Sequence, residues 1–166
     1  MQNHLDELLE WYGDEIAGEA FFFALAQSAA EPELAAKWRT LARLEQFVAE
    51  RLRMTLEARG IRMPSAELDL RRGLQSAQEY AGLTWREALD RLRPELDRYV
   101  RDFQAAESRM PEDVQLVARF VTAHEQALLE FVTRELDHEG HHSLDAVLGL
   151  LGEATPVTLE RQPAQD

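Results

Sequence analysis

The sequence contains no cysteine among its 166 residues. This absence excludes disulfides, thiolate nucleophiles and cysteine-based zinc sites. The chain also has no uncharged run approaching the roughly 20 residues needed to span a bilayer. Its first residues are acidic, whereas a signal peptide begins basic and then becomes apolar. We therefore expect a cytoplasmic protein without a membrane partner.

Positive charge is scarce. Eighteen Lys and Arg residues stand against thirty-one Asp and Glu residues, which gives a formal net charge of −13. A surface this acidic repels phosphate backbones, so we do not expect nucleic acid as a partner. The sequence also lacks a P-loop, a glycine-rich dinucleotide motif and a nucleophile elbow, so no common enzyme motif suggests an activity.

Strand signals are missing as well, since the chain has neither an alternating β-branched run nor an Asn-Gly hairpin. What it has is helical periodicity, clearest in the segment 38–56. Apolar residues recur there at steps of three and four, at Trp38, Leu41, Val48, Leu52 and Leu56. The position due between Leu41 and Val48 is Glu45, a carboxylate within a core stripe.

This periodicity predicts an all-α protein built from two helix hairpins joined by a long crossover. Proline and glycine mark the helix ends. The predicted elements are long helices at about 5–28, 32–59, 84–108 and 112–137, a crossover at about 61–84 with a short helix of its own, and a short C-terminal helix capped by Ser143. Residues 1–153 then form one domain, and residues 154–166 are predicted to be a disordered tail.

Two other helices also carry a carboxylate where an apolar residue is due. In the first helix the stripe Leu5, Leu8, Tyr12, Ile16 and Phe23 is interrupted by Glu19. In the fourth, Glu125 is followed by Leu128 and Glu130 at the same offsets at which Val48 and Glu50 follow Glu45. An unpaired buried carboxylate is costly, so each of these should be paired, protonated or bound to a metal.

Two hairpins with inward glutamates resemble the ferritin-like superfamily of rubrerythrins, bacterioferritins and di-iron carboxylate proteins. The resemblance covers the four long helices and implies an antiparallel four-helix bundle. By this resemblance Glu19, Glu45 and Glu125 match the glutamates of the first, second and fourth helices. It also implies two irons that activate oxygen or oxidise ferrous ions.

The sequence departs from that family pattern at several ligand positions. The histidines of both Glu-x-x-His motifs are replaced, by Val48 and Leu128. The corresponding third-helix position is Tyr99, or Arg98 after a one-residue shift. Iron or another divalent metal remains an alternative, because carboxylates alone can hold Mg²⁺, Mn²⁺ or Ca²⁺. We favour a metal-free polar core, in which Arg98 and Tyr99 satisfy the glutamates.

The histidines and aromatic residues do not by themselves distinguish a binding site from an ordinary core or surface. His124 is a weak candidate ligand or acid/base, and we favour a simple hydrogen bond from it to a neighbouring carboxylate. The one literal Glu-x-x-His, Glu135 to His138, stands with His141 and His142 at a helix end, where a solvated terminus is the favoured interpretation. The aromatic residues suit a core or a homodimer interface before a ligand site.

Three functional hypotheses follow, and whether the protein is an enzyme stays undecided between them. The favoured one is a metal-free scaffold that binds an unidentified small molecule or a protein partner, because both motif histidines are absent. The alternative is a metal-dependent oxidoreductase that uses iron held by Glu19, Glu45 and Glu125. Iron storage in a cage is the least favoured, since it needs the missing ligands most.

Overall fold

A computed structural model gives the structure of residues 4–152, so the tail predicted for residues 154–166 lies outside the described part of the chain. The described residues confirm the all-α class, with six α-helices, one short 3-10 helix and no strand. The helices are α1 (His4–Ser28), α2 (Pro32–Glu57), α3 (Glu67–Gln78), α4 (Trp85–Glu107), the 3-10 helix Glu112–Val114, α5 (Gln115–Leu136) and α6 (Asp145–Leu150).

The four long helices pair as the two predicted hairpins. Helix α1 packs along α2, α4 packs along α5, and the hairpins meet where α2 contacts α5. A second junction lies between α1 and α4, where the Trp11 and Phe103 rings meet edge to face with centroids 5.0 Å apart. The core therefore lies between the hairpins, and it includes the buried Trp38, Leu41, Val48, Leu52 and Leu56 of α2.

The crossover contains α3, which lies against α1. The two backbones touch at Gly73, because a Cβ built there would lie 2.1 Å from the carbonyl oxygen of Ala17. No residue other than glycine fits this approach without displacing a helix. Helix α1 is thereby enclosed by α2, α3 and α4, and it is buried over a wide arc.

This enclosure corrects the predicted orientation of α1. Its buried stripe runs through Leu8, Trp11, Glu15 and Phe22. Leu8 belongs to both stripes, but beyond it the predicted stripe lies one residue further along the helix. Its members Tyr12, Ile16 and Glu19 are half-buried, and Phe23 is 49% exposed. Both stripes have helical spacing and apolar members, so periodicity alone did not distinguish them.

Helix α4 begins as predicted with a capping box. The Thr84 hydroxyl accepts a hydrogen bond from the Glu87 backbone N–H, and the Glu87 carboxylate accepts one from the Thr84 N–H. The helix then continues through Pro94 as a single element to Glu107. Across residues 4–152, every helix is too short or too polar to cross a membrane.

Candidate metal centre

Glu45 occupies the middle of the buried face of α2 and is 5% exposed, as the sequence predicted. Space for its carboxylate comes from Gly18 on the facing helix α1. A Cβ at Gly18 would lie 2.8 Å from both the Glu45 Cδ and Oε2 atoms. The missing side chain of Gly18 therefore lets a carboxylate lie directly against α1.

His124 on α5 is completely buried, and its ring orientation is fixed by the backbone. Its Nδ1 atom lies 2.6 Å from the carbonyl oxygen of Val121. Because a carbonyl oxygen can only accept, Nδ1 must carry the proton that is donated. In the neutral imidazole, the lone pair is therefore on Nε2.

Three carboxylates surround this Nε2 atom. It lies 3.1 Å from Glu15 Oε2, 3.5 Å from Glu45 Oε2 and 3.7 Å from Glu125 Oε1. Glu15, Glu45 and His124 each offer one donor atom, and these atoms all lie within 4.8 Å of one another. Donors bound to one transition-metal ion at about 2.1 Å are separated by roughly 3 to 3.5 Å. The distances from His124 Nε2 to Glu15 and Glu45, 3.1 and 3.5 Å, lie in this range, and the three donor atoms are at most 4.8 Å apart.

Several atoms of this cluster lack a hydrogen-bond partner. Among the described residues, the buried Glu15 Oε2, Glu125 Oε2 and His124 Nε2 atoms have no hydrogen-bond partner outside the cluster, and Glu125 Oε2 has none within it. Leaving a buried polar atom unsatisfied costs about 1–3 kcal/mol, and more for a charged group. Glu125 Oε2 is such an atom, whereas Glu15 and His124 can satisfy each other through a shared proton.

Crowding of the carboxylates changes their acidity. Burial raises the pKa of Glu15 well above its ordinary value, and the neighbouring Glu45 raises it further while His124 opposes the change. Burial likewise raises the pKa of Glu125 to about 8. Burial alone would lower the pKa of His124, but the charges of Glu15 and Glu125 raise it well above its usual range. Without a cation, the cluster therefore retains protons.

The structure distributes the residues predicted for the site as follows. Glu45, Glu125 and His124 come together, and Glu15, which the sequence analysis missed, joins them. Glu19 lies one turn along α1, half-buried, where burial and then the charge of Glu45 raise its pKa. The signal for Glu15 was its place in the spacing Leu8, Trp11, Glu15, Phe22.

Among the described residues, neither Arg98 nor Tyr99, the two expected to satisfy the glutamates, forms a hydrogen bond or ion pair with the cluster. Arg98 is exposed, and it directly precedes the half-buried Tyr99 on α4. Its guanidinium carbon lies 4.9 Å from the centre of the Tyr99 ring. Tyr99 is half-buried and faces the space beside the cluster. The apolar replacements of the family histidines, Val48 and Leu128, are fully buried core residues. No described arginine or lysine forms an ion pair with Glu15, Glu45 or Glu125.

A cavity of about 300 Å³ adjoins the cluster between α1, α3 and α4. Glu15, Glu45 and Glu125 all line it. Much of the remaining wall is aromatic or aliphatic, and it includes Phe21, Phe22, Tyr80, Leu92, Leu96, Tyr99, Phe103 and Leu128. The carboxylates therefore face a space large enough for a small molecule.

The literal Glu-x-x-His segment has a structural role instead. Glu135 forms an ion pair with Lys37 and accepts hydrogen bonds from Trp85 Nε1 at 3.1 Å and from the Ser143 hydroxyl at 2.6 Å. His138 follows the end of α5 with a φ of 64°. The predicted capping of the last helix by Ser143 is wrong, because its hydroxyl is bound to Glu135 and to the Gly140 carbonyl.

Comparison of the chain with protein-family models, curated proteins and solved structures found no match. The function is therefore argued from the site itself.

Proposed function

We propose that the protein is a ferritin-like four-helix bundle that binds one divalent transition-metal ion through Glu15, Glu45 and His124, with Glu125 beside them. The observation that carries the proposal is the state of His124. Its Nδ1 donates to a backbone carbonyl, while its Nε2 faces three carboxylate oxygens at 3.1–3.7 Å. A backbone bond to the outer nitrogen is the usual support for a metal-bound histidine.

Charge supports a cation in the same place. Fully ionised, the three carboxylates around a neutral imidazole would carry three negative charges inside the protein, and no lysine or arginine among the described residues is paired with them. A divalent ion cancels most of that charge and coordinates the unpartnered atoms. The mixed oxygen and nitrogen donor set suits Mn²⁺ or Fe²⁺ better than Mg²⁺ or Ca²⁺, which prefer oxygen alone.

The same residues do not fit the two-iron centre of the ferritin-like pattern. Val48 and Leu128 offer no donor atom, and no carboxylate of α4 belongs to the cluster of described residues. His124 is also placed one residue before Glu125, rather than three after it. We therefore propose a mononuclear site with its own ligand arrangement on a ferritin-like scaffold.

The cavity beside the site favours an enzyme that acts on a small molecule. A bound iron or manganese ion would supply redox chemistry there. The chain itself contributes the rest: aromatic and aliphatic side chains form much of the cavity wall, and the Glu125 carboxylate, which lines the cavity, can hold or release a proton there. A metal-dependent oxidoreductase is the activity that this combination supports best.

A metal-free polar core is the second candidate, and one distance favours it. His124 Nε2 and Glu15 Oε2 are 3.1 Å apart, close enough to share a proton. A single shared proton still leaves Glu125 Oε2 without a partner among the described residues. This is why we place the metal-binding function first.

Metal content tests the proposal directly. Metal-free protein is loaded anaerobically with Fe²⁺ or Mn²⁺, desalted and analysed by mass spectrometry. We expect about one ion per chain in the wild type and a loss of more than about tenfold in affinity for Glu45→Gln and His124→Gln. Glu19→Gln is the matched control on α1, and it should retain the ion because Glu19 lies outside the donor set.

Thermal melts identify variants that have merely unfolded. Two ions per chain, or loss of binding in Glu19→Gln, would support the di-iron arrangement instead. A folded wild type that binds no ion at micromolar concentrations would leave the metal-free core as the better account.

A further inference from the structure

The cavity beside the carboxylate cluster has a size that limits what it can hold. Its volume is about 300 Å³. An apolar cavity of about 150 Å³ accepts benzene, so this one has room for roughly ten non-hydrogen atoms. Five aromatic residues line it, at Phe21, Phe22, Tyr80, Tyr99 and Phe103. Aromatic ring faces are negative, and they attract cations as well as apolar groups.

The charges around the cavity are also negative on balance. Asp14 is neutralised by Arg72 at 2.7 Å, and Glu79 by Arg91 at 2.7 Å. Glu95 lines the same cavity and forms no ion pair with any residue of the described range 4–152. A divalent ion bound to three fully ionised cluster carboxylates would leave one negative charge there, in addition to the unpaired Glu95 carboxylate.

Tyr80 adds a polar anchor to this wall. The residue is 7% exposed, and although the Arg91 guanidinium lies over its ring at 5.0 Å, its hydroxyl forms no hydrogen bond of ordinary geometry with a described residue. Burial raises the pKa of Tyr80 to about 12, so the group stays a hydroxyl. A hydroxyl oxygen can accept a hydrogen bond from an ammonium group.

We propose that the cavity binds a small organic amine in its ammonium form, with an aromatic or apolar body of roughly ten non-hydrogen atoms. The ring walls hold the body, and Glu95 with the Tyr80 hydroxyl recognises the ammonium group. Carboxylates and phosphates are repelled by the same charges. The amine is a candidate substrate only insofar as the proposed metal function holds, whereas its binding follows from the cavity alone.

Three probes of similar size separate the ligand classes. Isothermal titration calorimetry is performed with 2-phenylethylamine, 2-phenylethanol and phenylacetate, on EDTA-treated protein and again after Mn²⁺ loading. We expect the amine to bind about tenfold more tightly than the alcohol, and phenylacetate to bind most weakly. Binding of the amine to the metal-free protein tests the cavity without relying on the metal.

Paired variants then locate the binding site. Glu95→Gln should weaken the amine about fivefold and leave the alcohol unchanged. Asp97→Asn is the control, because Asp97 is exposed like Glu95 but lies on α4 outside the cavity wall. Ser76→Trp should block all binding, since the exposed Ser76 lines the cavity, whereas Gln75→Trp places the same ring on α3 outside the cavity wall.

Three results would overturn this assignment. They are equal binding of the amine and the alcohol, tighter binding of phenylacetate, and an amine affinity that neither Glu95→Gln nor Ser76→Trp changes. A failure of the amine to bind at millimolar concentration would overturn it as well. If the amine binds selectively but no metal does, the cavity assignment stands and the metal function fails. If the metal binds but the amine does not, the cavity assignment fails and the metal function stands.

Discussion

The geometry of the cluster depends on single residues that are not ligands. Val121 fixes the ring of His124 through its backbone carbonyl, and Gly18 makes room for Glu45. Neither residue has a metal-binding side chain. The chemical character of the site therefore depends on positions that a search for ligand motifs passes over.

Replacing Gly18 by alanine tests this dependence. The new methyl group would lie 2.8 Å from the Glu45 carboxylate, so this carboxylate would have to move away from α1 into the cavity that it lines. We expect Mn²⁺ affinity to fall by about tenfold or more, as for other positions that orient a ligand. Stability should change little, since alanine gains up to about 1 kcal/mol in a helix and offsets part of the strain.

Gly13→Ala is the matched control on the same helix. Its methyl group would lie 2.9 Å from Asp69 Oδ2, a partly exposed side chain that can turn aside. Metal affinity measured by calorimetry should remain that of the wild type. Equal losses in both variants would mean that α1 as a whole, rather than the space at Glu45, determines binding.

The structure buries the glutamates that the sequence placed inward on α2 and α5, Glu45 and Glu125, whereas on α1 it buries Glu15 instead of Glu19. The stripe of α2 has one apolar face, so Glu45 could be assigned an inward position. Helix α1 is enclosed by three other helices and is apolar over a wide arc. Its phase was therefore ambiguous, and Glu19 was chosen where the structure buries Glu15.

At the scale of whole elements, one buried ion pair connects both hairpins. Glu135 of α5 binds Lys37 of α2, the Trp85 ring nitrogen at the start of α4 and Ser143 of the following turn. Lys37 also donates to the Gly140 carbonyl at 3.0 Å. This cluster therefore connects α2, α4 and α5, three long helices that are far apart in the sequence.

Lys37→Met should therefore destabilise the fold. It leaves the Glu135 carboxylate, 6% exposed, without its cation. We expect a loss of about 2–4 kcal/mol in the free energy of unfolding, measured by urea denaturation. The double variant Lys37→Met/Glu135→Met should recover much of that loss. A single variant as stable as the wild type would show that Trp85 and Ser143 alone satisfy Glu135.

The helices themselves were largely predictable, because their signals are local. The Thr84–Glu87 capping box, the two short connections and the helix within the crossover are all confirmed. Where α3 docks was not predictable. Its position depends on the contact of Gly73 with the backbone of Ala17, more than fifty residues earlier in the chain.

At the scale of the whole molecule, the buried carboxylates couple folding to pH. An unfolded chain releases the Glu125 proton near its ordinary pKa of 4.5, whereas the fold retains it until about pH 8. Glu15 and His124 also have raised pKa values. The stability contributed by these protons is complete below the unfolded pKa values and is lost as pH rises through the folded ones.

The metal-free protein should therefore become less stable between about pH 5 and pH 8. Urea denaturation in EDTA measures this slope, and Glu125→Gln should flatten it. Added Mn²⁺ should stabilise the protein more at the upper end of the range, because the ligands bind the ion only after losing their protons. A stability that rises steadily with pH in EDTA would contradict the proton-retaining cluster.

The most direct test of the metal site is an anomalous difference map from a crystal of the protein grown with Mn²⁺. We predict one peak about 2.0–2.5 Å from Glu15 Oε2, Glu45 Oε2 and His124 Nε2, with Glu125 at its edge. A clear map with no peak among these side chains, or a peak confined to His138, His141 and His142, would contradict the account.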